Sequence, residues 1–450
     1  MPRSSIVIRN GTIVTMSGDH TVLRGHDLRI DGERIQTIGP DLDTTGAEVI
    51  DATDAIVMPG LIDTHMHAWQ YAWRGLAARM WSSSAYRDLF WFLRETYTPE
   101  DTYESTLGCG HEMIEHGVTG VLDFFHGANA TTEHADAAFE AHLATGQRVQ
   151  LAYGSIVADP ADRDRFARAH RQRLAGADAL RARAEAEARG LIDVGLGLVT
   201  PAREVMGLFL DEVGHARAAG MRMTFHQNAP GEIRAIHEAG GLGPDLVPVH
   251  ANTVSDRELA WMAEAGMAIS ATPQAEVAAT RSVSVLRRAI AHGVTLSVGV
   301  DTPAVLPIDL LGQIRLAYIL LQHTDAQAMH EAGRIAVDDV LDPRSATFED
   351  VLAMGIRGGA AAIGLGRELG VLREGALADV VVLRPRDVDA AMSDPVAHVV
   401  LTAASAHDVD TVVIGGVVRK RGGALVGVDA AELERRNGAV RRRVLDRLSR

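Results

Sequence analysis

Short apolar runs in this chain end on residues able to bind a metal ion. One run leads into Asp63-Thr64-His65-Met66-His67, and later runs end in His126, His226, His250 and Asp301. On a strand, side chains repeat with period two, so His65 and His67 lie on one side. Three imidazoles and one carboxylate drawn from such a set make a borderline-hard site suited to Zn²⁺, Fe²⁺ or Mn²⁺, with a position left for water. A single histidine carries no such meaning. His111, His116, His215, His237 and His292 sit in helical stretches and read as ordinary core or surface residues.

Bringing these positions together takes a barrel. Eight apolar runs, GLIDTHMH, VTGVLDFFH, RVQLAYGS, DVGLGLVT, RMTFHQN, LVPVHAN, MAISATP and TLSVGVD, alternate with Ala-, Arg- and Glu-rich helical stretches. Eight strands each followed by a helix predict an α/β fold, a (β/α)8 TIM barrel, whose strand C-termini converge on one mouth. The stretch from Ala161 to Gly190 reads as a helix pair. Before the barrel, SIVIRNGTIVTM and DLRIDGERIQTIG carry Asn-Gly and Asp-Gly hairpin signals, which predict a small antiparallel unit. ALADVVVLRP and DTVVIGGVVRKRGGALVGV resume that pattern near the end, and a charged helix from about Ala430 to Arg450 follows. The expected organisation is a small β-sandwich domain built from both chain ends, 1–58 and 371–450, around a barrel at 59–370.

Composition narrows the function. The 450 residues are 47% hydrophobic and carry a formal net charge of -15, which argues against nucleic-acid binding. Cys109 is the only cysteine, so an intramolecular disulfide, a thiolate zinc site and the Pro-Cys-x-x-Cys class of deaminase are excluded. Its helical context predicts a buried structural thiol. The N-terminus lacks an apolar signal region and no apolar stretch is long enough to span a bilayer, so the expectation is a cytoplasmic protein with no membrane role. Lys420 is the only lysine.

The sequence resembles the amidohydrolase superfamily over nearly its whole length, in the branch of triazine hydrolases, cytosine and guanine deaminases and adenosylhomocysteine deaminases. The resemblance rests on Val57-Met58-Pro59-Gly60-Leu61-Ile62-Asp63-Thr64-His65-Met66-His67, on Glu115-His116-Gly117-Val118-Thr119 and on His250 before Val254-Ser255-Asp256. Gly299-Val300-Asp301 and Leu372-Arg373-Glu374-Gly375-Ala376-Leu377-Ala378-Asp379 complete it, with Ala376 where a lysine is usual. It implies one divalent metal ion, zinc first with iron or manganese as alternatives, held by His65, His67, His226 and Asp301. His250 would stand just outside that set, and Asp301 would also take a proton from the attacking water. The two-metal arrangement bridged by a carboxylated lysine is not available to a chain whose one lysine is Lys420.

The implied reaction is hydrolytic deamination, or related C–N cleavage, of a small cyclic or aromatic nitrogen compound. Relatives usually carry a proton-transferring glutamate three residues after the strand-5 histidine; here that position is Ala229. Glu276 and His126 are the favoured substitutes, and Glu232 reads instead as a helix-start carboxylate. The relatives' His-Asn-Pro run after strand 7 is Ala271-Thr272-Pro273 here. Amide or lactam hydrolysis, dehalogenation or a lyase or decarboxylase step at the same metal is the alternative, and an inactive scaffold is the alternative of another class.

Four of the five tryptophans crowd the segment from Trp69 to Tyr97. Trp69, Trp73 and Trp91, with Gln227, form the expected substrate-binding set for a planar or hydrophobic small molecule. The resemblance also implies a homodimer or higher homo-oligomer.

Overall fold

The computed structural model describes residues 5–18, 21–75, 89–90, 93–94, 96–126, 132–154, 163–202, 205–279, 284–334, 346–386, 392–403 and 405–448, without the side chains of 163–169, 405 and 448. Trp81, Tyr86, Trp91 and Phe92 of the aromatic segment lie outside the described residues.

Among the described residues seventeen strands form two sheets. Eight of them, β6 (Leu61–Met66), β7 (Val118–Phe125), β8 (Arg148–Gly154), β9 (Ile192–Gly197), β10 (Met223–Gln227), β11 (Leu246–His250), β12 (Ala268–Ala271) and β13 (Thr295–Val298), pair in sequence order. Every neighbouring pair is parallel. All eight correspond to the expected apolar runs. Beyond β13 the chain continues against β6: Asp301 N–H donates to His65 O at 2.8 Å, and His67 N–H donates to Asp301 O at 2.9 Å. This contact links the two outer strands and fixes the height of Asp301 beside His65 and His67. The fold is the expected TIM barrel with an added small domain.

The second sheet joins both ends of the chain. Its order is β17 (Ala424–Leu425), β16 (Val417–Arg421), β15 (Val409–Ile414), β14 (Val380–Leu383), β5 (Ile56–Pro59), β1 (Ser5–Val14), β2 (Val22–Asp31) and β3 (Arg34–Gly39), with β4 (Ala47–Asp51) also on β1. Strand alternation gives it two faces. Val57, Val380, Val382 and Val413 enter the sheet's own core with Ile6, Ile8 and Leu28, while Ile56, Met58, Val381, Leu383 and Val412 join the barrel core. The bidentate pair from Arg148 to Asp379, both contacts 2.9 Å and both residues buried, ties the start of β8 to the entry of β14.

Three local expectations are corrected. The N-terminal unit is mixed, because β4 and β5 run parallel to β1. Asp31-Gly32 does turn the β2–β3 hairpin, but Asn10-Gly11 lies inside β1 as a bulge, with Asn10 at φ +58°. A Cβ on Gly11 would come within 2.6 Å of Val57, so that glycine serves close strand packing. The Ala/Arg-rich stretch is one helix, Arg163–Glu187, with no break into a pair. Cys109 is buried in the helix Pro99–Glu115. Among the described residues no helix is long and apolar enough to cross a membrane.

Candidate metal centre

The barrel mouth gathers side chains from five strand ends. His65 and His67 share one side of β6, and their rings stand 4.6 Å apart. His226, on β10, lies 4.9 Å from His65 and 5.4 Å from His67 between ring centres. His250, ending β11, is 5.8 Å from both His65 and His226. Asp301 Oδ1 stands 3.4 Å from Nε2 of His65 and 3.4 Å from Nε2 of His67. Two overlapping groups, His65-His67-Asp301 and His65-His226-His250, could each hold a metal ion, their ligand atoms lying within 4.8 Å of one another.

Backbone geometry serves this convergence. His250, Ala251 and Asp301 have φ of +69°, +56° and +80°, a left-handed region that side chains other than glycine avoid. Such conformations cost on the order of 1–3 kcal/mol each and persist where surrounding structure enforces them, typically at functional sites. One enforcing contact is buried Asp63, whose carboxylate accepts from His65 N–H at 3.0 Å and from Val300 N–H at 3.2 Å. Burial pushes the Asp63 carboxyl up to about 8. Gly299 fits into the same junction: a Cβ there would lie 2.6 Å from His65 N.

The ring nitrogens are disposed for metal binding. His67 Nδ1–H donates to Phe124 O at 2.9 Å, which leaves the Nε2 lone pair toward Asp301 and the cluster. Burial, with His65 next, pushes His67 down to about 3, and burial first of all holds His65, His126 and His226 well below the usual histidine range. Neutral imidazoles are the form that offers lone pairs. Both ring nitrogens of His65 are buried without a hydrogen-bond partner. A buried polar group left so costs about 1–3 kcal/mol. A divalent ion shared by these imidazoles and Asp301 would remove that cost, and the nitrogen-and-carboxylate donor set fits a borderline cation.

The remaining expected site residues divide. His126 stacks on His67 at 4.0 Å and accepts a hydrogen bond at Nδ1 from the Trp69 indole at 3.3 Å. Trp69 and Trp73 are buried in the barrel core, Trp69 edge-on to Phe90 and Tyr97. Gln227 is engaged within the protein: its amide donates to Ala229 O and Glu232 and accepts from the Thr253 hydroxyl. Glu232 accepts from the N–H groups of Asn228 and Ala229 at 2.9 and 3.1 Å, so it closes the turn after β10. Ala229 is exposed on that turn. Glu276 is brought beside His250, with Oε1 3.8 Å from its Nδ1. Lys420 is elsewhere, donating to Glu115 O at 2.8 Å and Ala406 O at 3.2 Å. Glu115 leads into β7, so this lysine belongs to the opposite end of the barrel.

Thr272 was not singled out as a site residue by sequence reasoning. Its hydroxyl lies 2.8 Å from His250 Nδ1. The available signal was its place at the end of β12, where a relative's asparagine would stand.

A model of the amidohydrolase family matches residues 56–419. The 5'-deoxyadenosine deaminase of Methanosarcina barkeri is 24% identical over 437 residues, covering 92% of each chain. The 5-methylthioadenosine/S-adenosylhomocysteine deaminase of Thermococcus kodakarensis is 25% identical over 432 residues, covering 92% of this chain and 93% of that one. Among solved structures, the zinc complex of the atrazine chlorohydrolase from Arthrobacter aurescens TC1 superimposes with a TM-score of 0.78 at 24% identity, over 97% and 99% of the two chains. A zinc-bound adenosine deaminase from Xanthomonas campestris gives a TM-score of 0.79 at 19% identity, over 98% of each. The likeness to these two structures is one of fold.

Proposed function

The chain belongs to the amidohydrolase family, and from that premise we propose that it hydrolyses a C–N bond of a small cyclic nitrogen compound, releasing ammonia from an aminopurine nucleoside or a similar amino-substituted heterocycle. The carrying observation is that two ligand groups, His65-His67-Asp301 and His65-His226-His250, meet at His65, whose ring nitrogens are both buried without a hydrogen-bond partner. His65, His67, His226 and Asp301 would hold one divalent ion, zinc in our reading. Bound there, such an ion supplies Lewis acidity and brings water's pKa toward neutrality.

The chain's own residues supply the rest. The Phe124 carbonyl fixes the His67 ring, and Asp63 fixes the backbone that carries His65. Asp301 Oδ1 faces the two β6 imidazoles, which leaves its second oxygen to orient a water and accept its proton. His250 stands at the edge of the group, placed to carry a proton toward the departing nitrogen. His126, stacked on His67 and held at Nδ1 by the Trp69 indole, walls the mouth and favours a flat substrate. Relatives that deaminate 5'-deoxyadenosine and S-adenosylhomocysteine support the substrate class.

One residue favours a second reading. Ala229 cannot transfer a proton, and amide or lactam hydrolysis needs no glutamate at that position. Zinc-loaded protein should be offered 5'-deoxyadenosine, S-adenosylhomocysteine and amino- or chlorotriazines, with ammonia and halide release followed, beside a panel of cyclic amides with acid release followed. Ammonia from the first group supports deamination, and turnover confined to cyclic amides replaces it with the second reading. Zinc-loaded protein inert toward both groups would sink the hydrolase reading for these substrates.

A further inference from the structure

We propose that Thr272 and Glu276 are positioning residues that fix the tautomer of His250, keeping the proton on Nδ1 and an open lone pair at Nε2 facing the mouth. The inference rests on the hydrolytic reading of the site, and it gives the chain a carboxylate-backed histidine where relatives use a glutamate after strand 5.

Thr272 is the N-cap of the short helix Pro273–Ala278, yet its hydroxyl makes no capping bond to that helix. A threonine at this position ordinarily accepts from an N–H in the first turn. Here Gln313 accepts from Gln274 N–H at 3.0 Å instead, and the hydroxyl turns to His250 Nδ1 at 2.8 Å. On its other side stands buried Glu276, whose Oε1 lies 3.4 Å from the hydroxyl and accepts from Thr272 N–H at 2.8 Å. A carboxylate only accepts, so the hydroxyl proton is drawn to Glu276 and the hydroxyl lone pair faces His250. The ring must then donate from Nδ1. An imidazole in this form can accept a proton or hydrogen bond at Nε2, whereas the opposite tautomer can only donate there.

The backbone agrees with this assignment. His250 and Ala251 are both at positive φ, and the His250 ring meets Thr272 at the end of β12. The second oxygen of Glu276 is buried without a hydrogen-bond partner. Helix capping alone would not call for that, since the first oxygen already meets the Thr272 N–H. Thr272 and Glu276 thus act on the reaction through His250, without touching substrate.

Tautomers can be read directly from nitrogen-15 chemical shifts in zinc-loaded protein labelled at histidine, with the His250 signals identified by their loss in His250→Asn. The expected result is a His250 ring protonated at Nδ1 in the wild type and in Thr272→Ser, and a mixed or reversed tautomer in Thr272→Val and Glu276→Gln. Zinc content and melting temperature should be unchanged in all of them. On whichever of 5'-deoxyadenosine or the triazines the wild type turns over, Thr272→Val and Glu276→Gln should lower kcat by about 10- to 100-fold with little change in KM, and Thr272→Ser should restore it. A wild-type ring protonated at Nε2, or a tautomer indifferent to both substitutions, overturns the proposal. Absence of turnover in wild-type protein counts against the functional reading alone, because the chemical shifts still decide the tautomer.

Discussion

At the scale of single residues, the site is defined by what each ring nitrogen does. His67 commits Nδ1 to the Phe124 carbonyl, and His126 commits Nδ1 to the Trp69 indole. His65 commits neither nitrogen, although it is completely buried. That asymmetry singles out His65 as the residue for which metal binding matters most. His65→Ala should reduce zinc to less than about a tenth of an equivalent per chain and abolish turnover, read by elemental analysis and ammonia release. Retention of stoichiometric zinc would contradict the proposed ligand set. Restoring activity to His65→Ala by added zinc alone is not expected, since the donor itself is gone.

At the scale of elements, β6 and β13 must meet closely enough for Asp301 to reach two histidines on its neighbour. Gly299 permits that approach. Gly299→Ala places a methyl group 2.6 Å from His65 N and 2.9 Å from an Asp63 oxygen. We expect destabilisation of about 1–3 kcal/mol and weakened zinc affinity in protein that still folds, measured by competition with a chelator. The helix Arg163–Glu187 offers a test of pH dependence at a histidine outside the metal-binding cluster. His170 donates to Glu212 at 3.2 Å and to Asp211 at 3.0 Å, and the Glu212 bond chiefly holds its pKa above the usual histidine value. A raised folded pKa stabilises the native state fully below about pH 6.5, and the contribution fades as pH rises through the folded value. Urea unfolding should therefore show wild type and His170→Gln furthest apart in mild acid and converging above neutrality.

What the sequence disclosed follows the same division by element. All eight barrel strands were legible, because each is a short apolar run set between helical stretches. His65, His67, His226, His250 and Asp301 were legible as a group because barrel geometry sends every strand end to one mouth. Asn10-Gly11 misled, since the same pair that turns a hairpin also tolerates a bulge, and only packing against Val57 decides between them. Glu276 could be noticed by position. Its bond to Thr272 could not, because the direction of a side chain after a strand depends on the helix that follows.

At the scale of the whole molecule, the barrel is held by pieces from both ends of the chain. Arg148 and Asp379 are both buried, so removing one partner leaves an uncompensated charge. Asp379→Ala should cost about 3–5 kcal/mol, visible as a lowered unfolding midpoint, and a loss under about 1 kcal/mol would show the pair to be dispensable. The helix Ala430–Leu448 closes the other flank: Arg443 and Arg447 each reach buried Asp101 at 2.7 Å, and Arg441 donates to Ala72 O at 2.9 Å in the turn that follows His67.

The pairing of β5 with β14 also sets a schedule for synthesis. Val57 lies opposite Val382, 325 residues later in the chain. At about 5–20 residues per second, β5 leaves the ribosome on the order of tens of seconds before its partner exists. Through that interval an apolar strand edge is open to any other nascent chain. Through synthesis β5 thus has β1 beside it but not yet β14, and the small domain closes only when the end of the chain arrives.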